Sequence, residues 1–392
     1  MKKQIYLDNA ATTKVDEKVV EVMKPYFTEK YANASSSHMA GRKAKDALEK
    51  SRKTIAKSIN GKTDEIVFTS GGTEANNFIL KGLWFWNQKN QTGKNHIITT
   101  KIEHDCVLNT CKWLETMGAD VTYLDVDEQG FVDLEQLKNS ITNKTIVVSI
   151  IHGNNEIGTI QNLEKLGKTI KEKNKEALFH TDACQSFTKT KLDIKKQNLD
   201  FVTLNAHKIH GPKGVGAAYV REEVNDKITP LFHGGGHESG LRSGTENVSG
   251  AVGFAEAVKQ ADKNHIKKMT ELRDKLIEGL KKIPKIKING PEGSDGDKRL
   301  CNNINVSFSN IEGEAIGGYM ENEGIYISTG SACSSHTLKT SHVLKALGLE
   351  PLIANSSVRI SISKYTTKED IDYILEKLNK TAKKLRSLSP FK

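Results

Sequence analysis

The alternation of short β-branched runs with longer amphipathic stretches constrains the fold of this chain more than any other feature. The runs have strand length and are apolar almost throughout, which is typical of parallel strands covered on both faces. The stretches between them have helical periodicity, as in Asn76–Gln88 and Asn162–Lys173. Repeated strand–helix–strand units predict an α/β fold with a mostly parallel, seven-stranded sheet. The predicted strands are Ile66–Thr69, His96–Thr100, Val121–Leu124, Thr145–Ile151, Ala177–Thr181, Phe201–Asn205 and Val215–Val220.

The pattern changes near Asn247, which predicts a second, smaller α+β unit. A long helix is expected over Val252–Lys282, and a final helix over Lys368–Leu385 with Thr367 as its N-cap. We therefore expect an N-terminal segment (1–15), a large domain (16–257) and a small C-terminal domain (258–392). The strands expected in the small domain are Asn303–Phe308, Ile325–Ser328 and Ser357–Ile362.

Composition excludes several classes of protein. No apolar run approaches the roughly 20 residues that span a bilayer, and the N-terminus lacks the apolar region of a secretory signal. Five cysteines, odd in number and thinly spread, exclude a disulfide framework and a CxxC zinc module, which favours a reducing cytoplasm. The net charge of +10 resides in lysine clusters without interleaved aromatic residues, so direct binding of nucleic acid is not expected.

Lys208 lies in the segment FVTLNAHKIHGPKG, just after an apolar strand. Open α/β sheets bind their ligands at this end of their strands, and a partly buried lysine there can form an imine with an aldehyde cofactor. Taken alone, the segment slightly favours an ordinary lysine at a turn.

Asp182, in FHTDACQ, also follows a strand, one β-α-β unit earlier. A carboxylate that keeps the pyridine nitrogen of pyridoxal phosphate protonated makes the ring an electron sink, and Gln185 is placed to reach its phenolic oxygen. Asp182 as a helix N-cap is the alternative. A strand-end Asp followed by a strand-end Lys is the more specific combination.

The segment TSGGTEANN joins a strand to a helix and contains Gly72 and Thr73. Small residues at a helix N-terminus form an anion cradle for a phosphate, although a capped turn is equally consistent with the segment alone. It matches neither a nucleotide P-loop nor GxGxxG.

Three further polar residues are candidates. His104, in KIEHDC, can stack on a ring and move protons near neutral pH, and Asn155, in HGNNEIGT, can contact a ring oxygen or a substrate. Arg359 lies inside a strand of alternating residues, where a guanidinium needs an anion: a substrate carboxylate, or an internal salt bridge. His233 and His237 have no third ligand nearby, so a glycine-rich loop is expected there rather than a metal site.

Cys333 differs in setting from the other cysteines. It lies in ISTGSACSS, a stretch of small polar residues, where a thiol is expected to be accessible as a nucleophile. Cys106 and Cys111 are in an amphipathic segment and are expected to pack in the core.

Together, YLDNAATT, TSGGTEANN, HGNNEIGT, HTDACQ, AHKIHGPKG, GGGHESGLRSGTENV, GSACSS and SSVRISIS resemble the cysteine desulfurases of the NifS/IscS group. These are class V members of the fold-type I family of enzymes that depend on pyridoxal 5′-phosphate (PLP). The resemblance covers about residues 5 to 389, and the cysteine loop is similar to that of the IscS-type subgroup.

The resemblance implies a role for each candidate. Lys208 would bind the cofactor aldehyde, His104 would stack on the ring and transfer protons, and Arg359 would hold the carboxylate of L-cysteine. Cys333 would take the sulfur as a persulfide, leaving L-alanine. The phosphate would be held by Gly72, Thr73, Asn205 and His207, and by Thr245 of the other subunit. Asp182 would pair with the pyridine nitrogen, and Gln185 and Asn155 would contact the region of the ring oxygen.

The same resemblance implies a cytoplasmic homodimer that passes sulfur to an iron–sulfur scaffold protein and other acceptors, including a tRNA thiolation system. No metal is expected in the resting enzyme, with Cys333 at most a transient ligand of an iron–sulfur cluster. Asn205 stands where the family usually has Ser, and the C-terminus LRSLSPFK stops short of the longer tail that often helps dock a scaffold.

Selenocysteine lyases and class V aminotransferases share the lysine, the aspartate and the phosphate site. A non-catalytic scaffold on the same fold and a nucleic-acid binder are the alternatives from other classes. Cys333 discriminates, because an aminotransferase does not need it.

Overall fold

A computed structural model describes residues 3–292, 298–329 and 340–389. The strands are β1 Ile5–Tyr6, β2 Ile66–Thr69, β3 His96–Thr100, β4 Asp120–Leu124, β5 Thr145–Ser149, β6 Leu178–Asp182, β7 Phe201–Asn205, β8 Gly216–Val220, β9 Ile286–Asn289, β10 Asn303–Phe308, β11 Ile325–Tyr326, β12 Ser328–Thr329 and β13 Ser357–Ser361.

The helices alternate with these strands in the first part of the chain. They are α1 Glu17–Met23, α2 Pro25–Thr28, α3 Met39–Ser58, α4 Gly72–Lys89, α5 Asp105–Thr116, α6 Leu134–Ser140, α7 Leu163–Lys173, α8 Val248–Lys259, α9 Lys263–Lys281, α10 Gly313–Asn322, α11 His342–Ala346, α12 Pro351–Asn355 and α13 Lys368–Leu388.

The seven-stranded sheet has the order β2-β8-β7-β6-β5-β3-β4. Only β8 is antiparallel to its neighbours β2 and β7, so the predicted mostly parallel sheet is confirmed. Strands β2, β3, β5, β6, β7 and β8 are buried at every residue, because helices cover both faces of the sheet. The carboxyl ends of β2, β3, β5, β6 and β7 therefore meet at one edge.

The prediction of one long helix over Val252–Lys282 is wrong. Helix α8 ends at Lys259, and α9 begins at Lys263 with Asp262 as its N-cap, its side chain accepting from the backbone N–H of Asn264. An aspartate that binds the backbone in this way stops one helix and starts the next, a local interaction that apolar periodicity does not reveal. The N-cap at Thr367 is present, as expected.

The C-terminal part forms an antiparallel sheet in the order β12-β13-β10-β9. The segment expected as one strand, Ile325–Ser328, is divided between β11, which pairs with β1, and β12, which pairs with β13. Ile5 and Leu7 pack in the apolar cluster of this C-terminal part, so the start of the chain lies against its end. The domain boundaries themselves remain a prediction.

Candidate active site

A cavity of about 350 Å³ opens at the carboxyl edge of the large sheet. A volume of this size suits a small organic ligand. Most of the predicted site residues line it: Gly72, Thr73, His104, Asn155, Asp182, Gln185, Asn205, His207, Lys208 and Arg359. Thr245 is exposed and is not on the cavity wall of this chain, and Cys333 lies outside the described residues.

Asp182, the last residue of β6, is 4% exposed and held at both oxygens. Oδ2 accepts from Asn76 Nδ2 at 2.7 Å, and Oδ1 accepts from the backbone N–H of Cys184 at 2.8 Å. Two donors stabilise a carboxylate in a buried place and fix its orientation. Asp182 is therefore a carboxyl group of fixed orientation on the cavity wall.

Lys208 follows β7, on the strand next to β6. Its segment is held to the N-terminal part of the chain, because the carbonyl oxygen of His207 accepts from both the backbone N–H and the hydroxyl of Thr13, at 3.0 and 2.9 Å. Among the described residues, Lys208 Nζ has no hydrogen bond or ion pair. The cavity therefore contains an amine that is free to react.

Helix α4 begins at Gly72, on the cavity wall. A Cβ atom at Gly72 would lie 2.5 Å from Cys184 Sγ, so only glycine lets the helix start so close to β6. The Nδ2 atom of Asn205, a hydrogen-bond donor, lies beside this helix end, 3.7 Å from the position of that Cβ atom. His207 Nδ1 is 3.2 Å from Thr12 Oγ1, and burial together with the charge of Lys208 lowers the pKa of His207 to about 4. The amide nitrogen of Asn205 and the free backbone N–H groups of the first turn are donors that suit a phosphate.

His104 is the N-cap of α5, where its Nδ1 accepts from the backbone N–H of Cys106 at 3.2 Å. Burial and the charge of Lys208 lower the pKa of His104, so the imidazole is neutral near pH 7.

Arg359, in the middle of β13, is 2% exposed. Its Nη2 donates to Asp8 Oδ1 at 2.7 Å and its Nη1 to the carbonyl oxygen of Asn155 at 3.2 Å. Its Nε is buried and has no partner within the described part of the chain. Arg359 therefore meets both of the predicted possibilities: it makes an internal salt bridge, and it keeps a free donor for a carboxylate at the cavity.

Gln185 and Asn155 are anchored by the backbone. Gln185 Nε2 donates to the carbonyl oxygen of Ala10 at 2.8 Å, which joins the segment after β6 to the N-terminal part of the chain. The carbonyl oxygen of Asn155 accepts from Asn303 Nδ2 at 2.9 Å as well as from Arg359. The loop after β5 is thus tied to the small sheet across the cavity.

Two buried glutamates on the cavity wall were not predicted. Glu103 is completely buried; its Oε1 accepts from the backbone N–H of Ile151 and from Thr100, whereas its Oε2 has no partner among the described residues. Burial raises the pKa of Glu103 to about 8, with the charge of Asp182 acting in the same direction. Glu103 is therefore mainly a neutral acid at pH 7.

Glu156, the second of these, accepts from the hydroxyl of Ser341 at 2.6 Å, and burial raises its pKa. His342, which follows Ser341 in the sequence, donates from Nε2 to the carbonyl oxygen of Glu103 at 2.9 Å. Ser341 and His342 thus join the start of α11 to the cavity wall. Glu103 follows β3 just as His104 does, so its position was a signal that could have found it, whereas Ser341 and His342 reach the cavity wall only through tertiary contacts.

The expected core packing is confirmed for Cys111, and Cys106 packs against the same apolar cluster but also lines the cavity. Cys111 is completely buried in an apolar cluster, whereas Cys106 lines the cavity and contacts His104 and Asn76. At the N-terminus of α5 the side chain of Cys106 lies beside the N-cap and faces the cavity, which amphipathic periodicity does not predict.

The residues present fit PLP by their chemistry. A buried carboxyl group suits a protonated pyridine nitrogen, an unpartnered lysine suits an aldehyde, and the first turn of α4 with the Nδ2 donor of Asn205 suits a phosphate. Among residues 3–292, 298–329 and 340–389, no group of three or more His, Cys, Asp or Glu could hold a metal ion. In the same ranges, no helix is long and apolar enough to cross a membrane.

The fold and this cavity define a fold-type I PLP-dependent enzyme. The family model of class-V aminotransferases matches residues 5–374. The cysteine desulfurase IscS of Dictyoglomus turgidum is 46% identical over 397 residues, covering 100% of this chain and 98% of the relative. The chain therefore belongs to the class-V aminotransferase family and, within it, to the cysteine desulfurases of the NifS/IscS group.

Solved structures show the same similarity. A NifS-like protein has a TM-score of 0.89 and 41% sequence identity, covering 98% of this chain and 100% of that one. A structure of SspA in complex with cysteine has a TM-score of 0.81 and 37% identity, covering 93% of this chain and 100% of that one.

Proposed function

We propose that this chain is a PLP-dependent cysteine desulfurase that converts L-cysteine to L-alanine and leaves the sulfur as a persulfide on Cys333. The observation that carries the proposal is the placement of Asp182 and Lys208 in one cavity with the free Nε donor of Arg359. The first two residues suit the cofactor, and Arg359 suits the carboxylate of an amino acid. The family relationship supports the choice of cysteine.

Lys208, Asp182 and the first turn of α4 would hold PLP at its aldehyde, its pyridine nitrogen and its phosphate, respectively. When bound, PLP withdraws electrons from the Cα atom of an amino acid, which makes the Cα proton and the substituent on Cβ labile. The part of Asp182 is to face the pyridine nitrogen, and its two donors, Asn76 Nδ2 and the Cys184 N–H, fix its orientation.

Arg359 orients the substrate. A guanidinium binds a carboxylate most strongly through two parallel N–H···O bonds, and the Nε–H together with the second hydrogen of Nη2 provides such a pair. Asp8 and the Asn155 carbonyl hold the other side of the guanidinium, so this edge is oriented before the substrate arrives.

The cavity residues also move protons. Lys208 has no competing partner within the described part of the chain, so its amine can take a proton from the substrate and return it. Burial lowers the pKa of His104, so its ring is neutral near pH 7 and can assist proton transfer at a substrate atom.

Cys333 supplies the sulfur acceptor. Its thiolate would attack the sulfur of the bound cysteine, so that an S–S bond forms while the C–S bond breaks. The electron pair of the C–S bond stays with carbon, which gains a proton and becomes the methyl group of alanine. The sum is a cysteine and a thiol giving an alanine and a persulfide, so no external oxidant or reductant is needed.

We also propose a cytoplasmic homodimer in which Thr245 completes the phosphate site of the partner subunit, with an iron–sulfur scaffold protein among the sulfur acceptors. The exposure of Thr245 away from the cavity of its own chain supports the shared site. The free state of Cys106, Cys111, Cys184 and Cys301 supports a reducing compartment.

The test is to mix the purified protein with L-cysteine, to quantify alanine, and to measure the intact mass of the chain. We expect alanine and an added sulfur atom that a thiol reductant removes. In Cys333→Ala the sulfur adduct should be lost and alanine formation should fall by orders of magnitude, whereas Cys301→Ala, a buried cysteine away from the cavity, serves as the control. Normal alanine formation by Cys333→Ala would contradict the persulfide step and favour a lyase that releases its chalcogen directly.

A further inference from the structure

Four polar side chains form a continuous hydrogen-bonded chain from Asp182 to His104. Asn76 Nδ2 lies 2.7 Å from Asp182 Oδ2 and 3.1 Å from Cys106 Sγ. Cys106 Sγ lies in turn 3.1 Å from His104 Nδ1. Asn76 is completely buried on α4, and Cys106 is in the first turn of α5, so two adjacent helices supply the middle of the chain.

The direction of the first two hydrogen bonds is fixed by chemistry. The Asn76 atom that lies 2.7 Å from a carboxylate oxygen must be the amide nitrogen, because the amide oxygen would be repelled there. The same nitrogen carries a second hydrogen, which is directed to Cys106 Sγ. The sulfur of Cys106 is therefore an acceptor from Asn76.

The direction of the last hydrogen bond follows from the helix cap. The backbone N–H of Cys106 can only donate, and it lies 3.2 Å from His104 Nδ1. Nδ1 of the neutral ring therefore carries no hydrogen, and the thiol hydrogen of Cys106 must point toward it across 3.1 Å. The proton of neutral His104 is consequently on Nε2.

We propose that Asn76 and Cys106 are positioning residues that hold His104 as the Nε2–H tautomer, so that it offers a bound molecule a hydrogen-bond donor and not an acceptor. Nε2 has no protein partner among the described residues, so it is the ring nitrogen left for a ligand. The consequence for the reaction rests on the proposed function: a proton leaving the substrate goes to the Lys208 amine, and His104 donates a hydrogen bond from Nε2 to the bound molecule.

The charges around the ring are consistent with this assignment. Burial lowers the pKa of His104, and the charges of Lys208 and His342 act in the same direction. Asp182 and Asp105 raise this pKa, but the net shift is downward. Burial also raises the pKa of Cys106 to about 12, so the thiol keeps its hydrogen near pH 7. Both groups of the Cys106–His104 contact are therefore uncharged.

The test uses the full-length protein labelled with ¹⁵N-histidine, with cofactor bound and again after its removal. The His104 ring nitrogens are assigned by their loss in His104→Gln, and their ¹⁵N shifts are followed against pH. In the wild type, Nε2 should be the protonated nitrogen at neutral pH. Cys106→Ala removes the thiol donor, so the His104 pKa should rise by about half to one pH unit, the worth of one hydrogen bond.

Two variants keep the result interpretable. Cys106→Ser restores a donor and should return the His104 pKa most of the way to the wild-type value, whereas Cys111→Ala, on the same helix but in the apolar cluster, should leave it unchanged. A wild-type ring protonated on Nδ1, or identical titrations of Cys106→Ala and the wild type, would overturn the proposal. A protein with the expected tautomer that forms no alanine would instead refute the proposed function alone.

Discussion

The Nη2 atom of Arg359 lies 2.7 Å from Oδ1 of Asp8, which joins the last strand of the small sheet to the start of the chain. This ion pair leaves the Nε of Arg359 buried and unpartnered beside the cavity. One edge of the Arg359 guanidinium is neutralised by Asp8, and the other edge is free. Binding of an anion at the free edge requires little further desolvation of the guanidinium, because the arginine is already buried in the folded protein.

The free edge of Arg359 predicts the effect of Arg359→Lys. Lysine keeps the charge but loses the planar fork, so KM for L-cysteine should rise roughly 10- to 100-fold, as expected when a hydrogen bond to a charged group worth about 1.5–3 kcal/mol is lost. Steady-state kinetics measure this, and the cofactor absorbance should be unchanged. An unaltered KM would show that the carboxylate binds elsewhere.

Asp8 is predicted to contribute to stability as well as to orientation. Asp8→Ala leaves the guanidinium of Arg359, which is 2% exposed, without its anion and should lower the free energy of unfolding by about 3 kcal/mol. Asp8→Asn keeps an acceptor and should cost clearly less. Denaturant unfolding of the two variants, with cofactor present, compares them; equal losses would mean that the charge of Asp8 is not needed.

We predict that Glu103 makes the free energy of unfolding depend on pH. Its pKa in the folded protein is about 8, above its ordinary value of 4.5, so the stability it contributes is full below pH 4.5 and is lost as the pH rises through 8. Glu103→Gln cannot ionise, while its amide oxygen can accept from Ile151 and Thr100. The variant should therefore gain stability relative to the wild type between pH 5 and pH 9, as urea unfolding at several pH values would measure. A difference that does not vary with pH would show that Glu103 is ionised when folded.

Ser341 is predicted to join α11 to the cavity wall. Ser341→Ala removes the hydroxyl that donates to Glu156 Oε2 at 2.6 Å and also caps α11, so it should cost about 1–3 kcal/mol of stability. Thr54→Ala, which removes an exposed hydroxyl bonded within α3, is the control. A thermal midpoint equal to that of the control would contradict a role for this contact.

Sequence patterns predicted the part of the site that lies at strand ends. Asp182 ends a buried strand, and Lys208 and His104 follow buried strands; apolar runs reveal such strands, so the convergence of these residues was predictable. The boundaries of β2, β3, β7 and β10 agree with the prediction to the residue, because apolar runs and their flanking polar residues coincide there.

The parts that were not predicted depend on contacts between distant segments. Asp8 reaches Arg359 across 351 residues of sequence, and Asn76 reaches Asp182 across 106. Glu103 looks like a surface residue in the sequence, and only the folded structure shows that it is buried. The break between α8 and α9 depends on one capping aspartate, Asp262, which periodicity over a long window averages out.

The identity of the lysine that binds the cofactor tests most directly whether this cavity is the active site. Lys189 is the alternative to Lys208, because both residues line a small neighbouring cavity. Lys189 Nζ donates to the carbonyl oxygen of Gln185 at 2.8 Å, and burial lowers the pKa of Lys189 to about 8. Borohydride reduction of the PLP-loaded protein, followed by peptide mass mapping, locates the lysine that becomes permanently modified. We expect the adduct on Lys208, its loss in Lys208→Ala and its retention in Lys189→Ala. An adduct on Lys189, or none on either lysine, would contradict the assignment of this cavity as the active site.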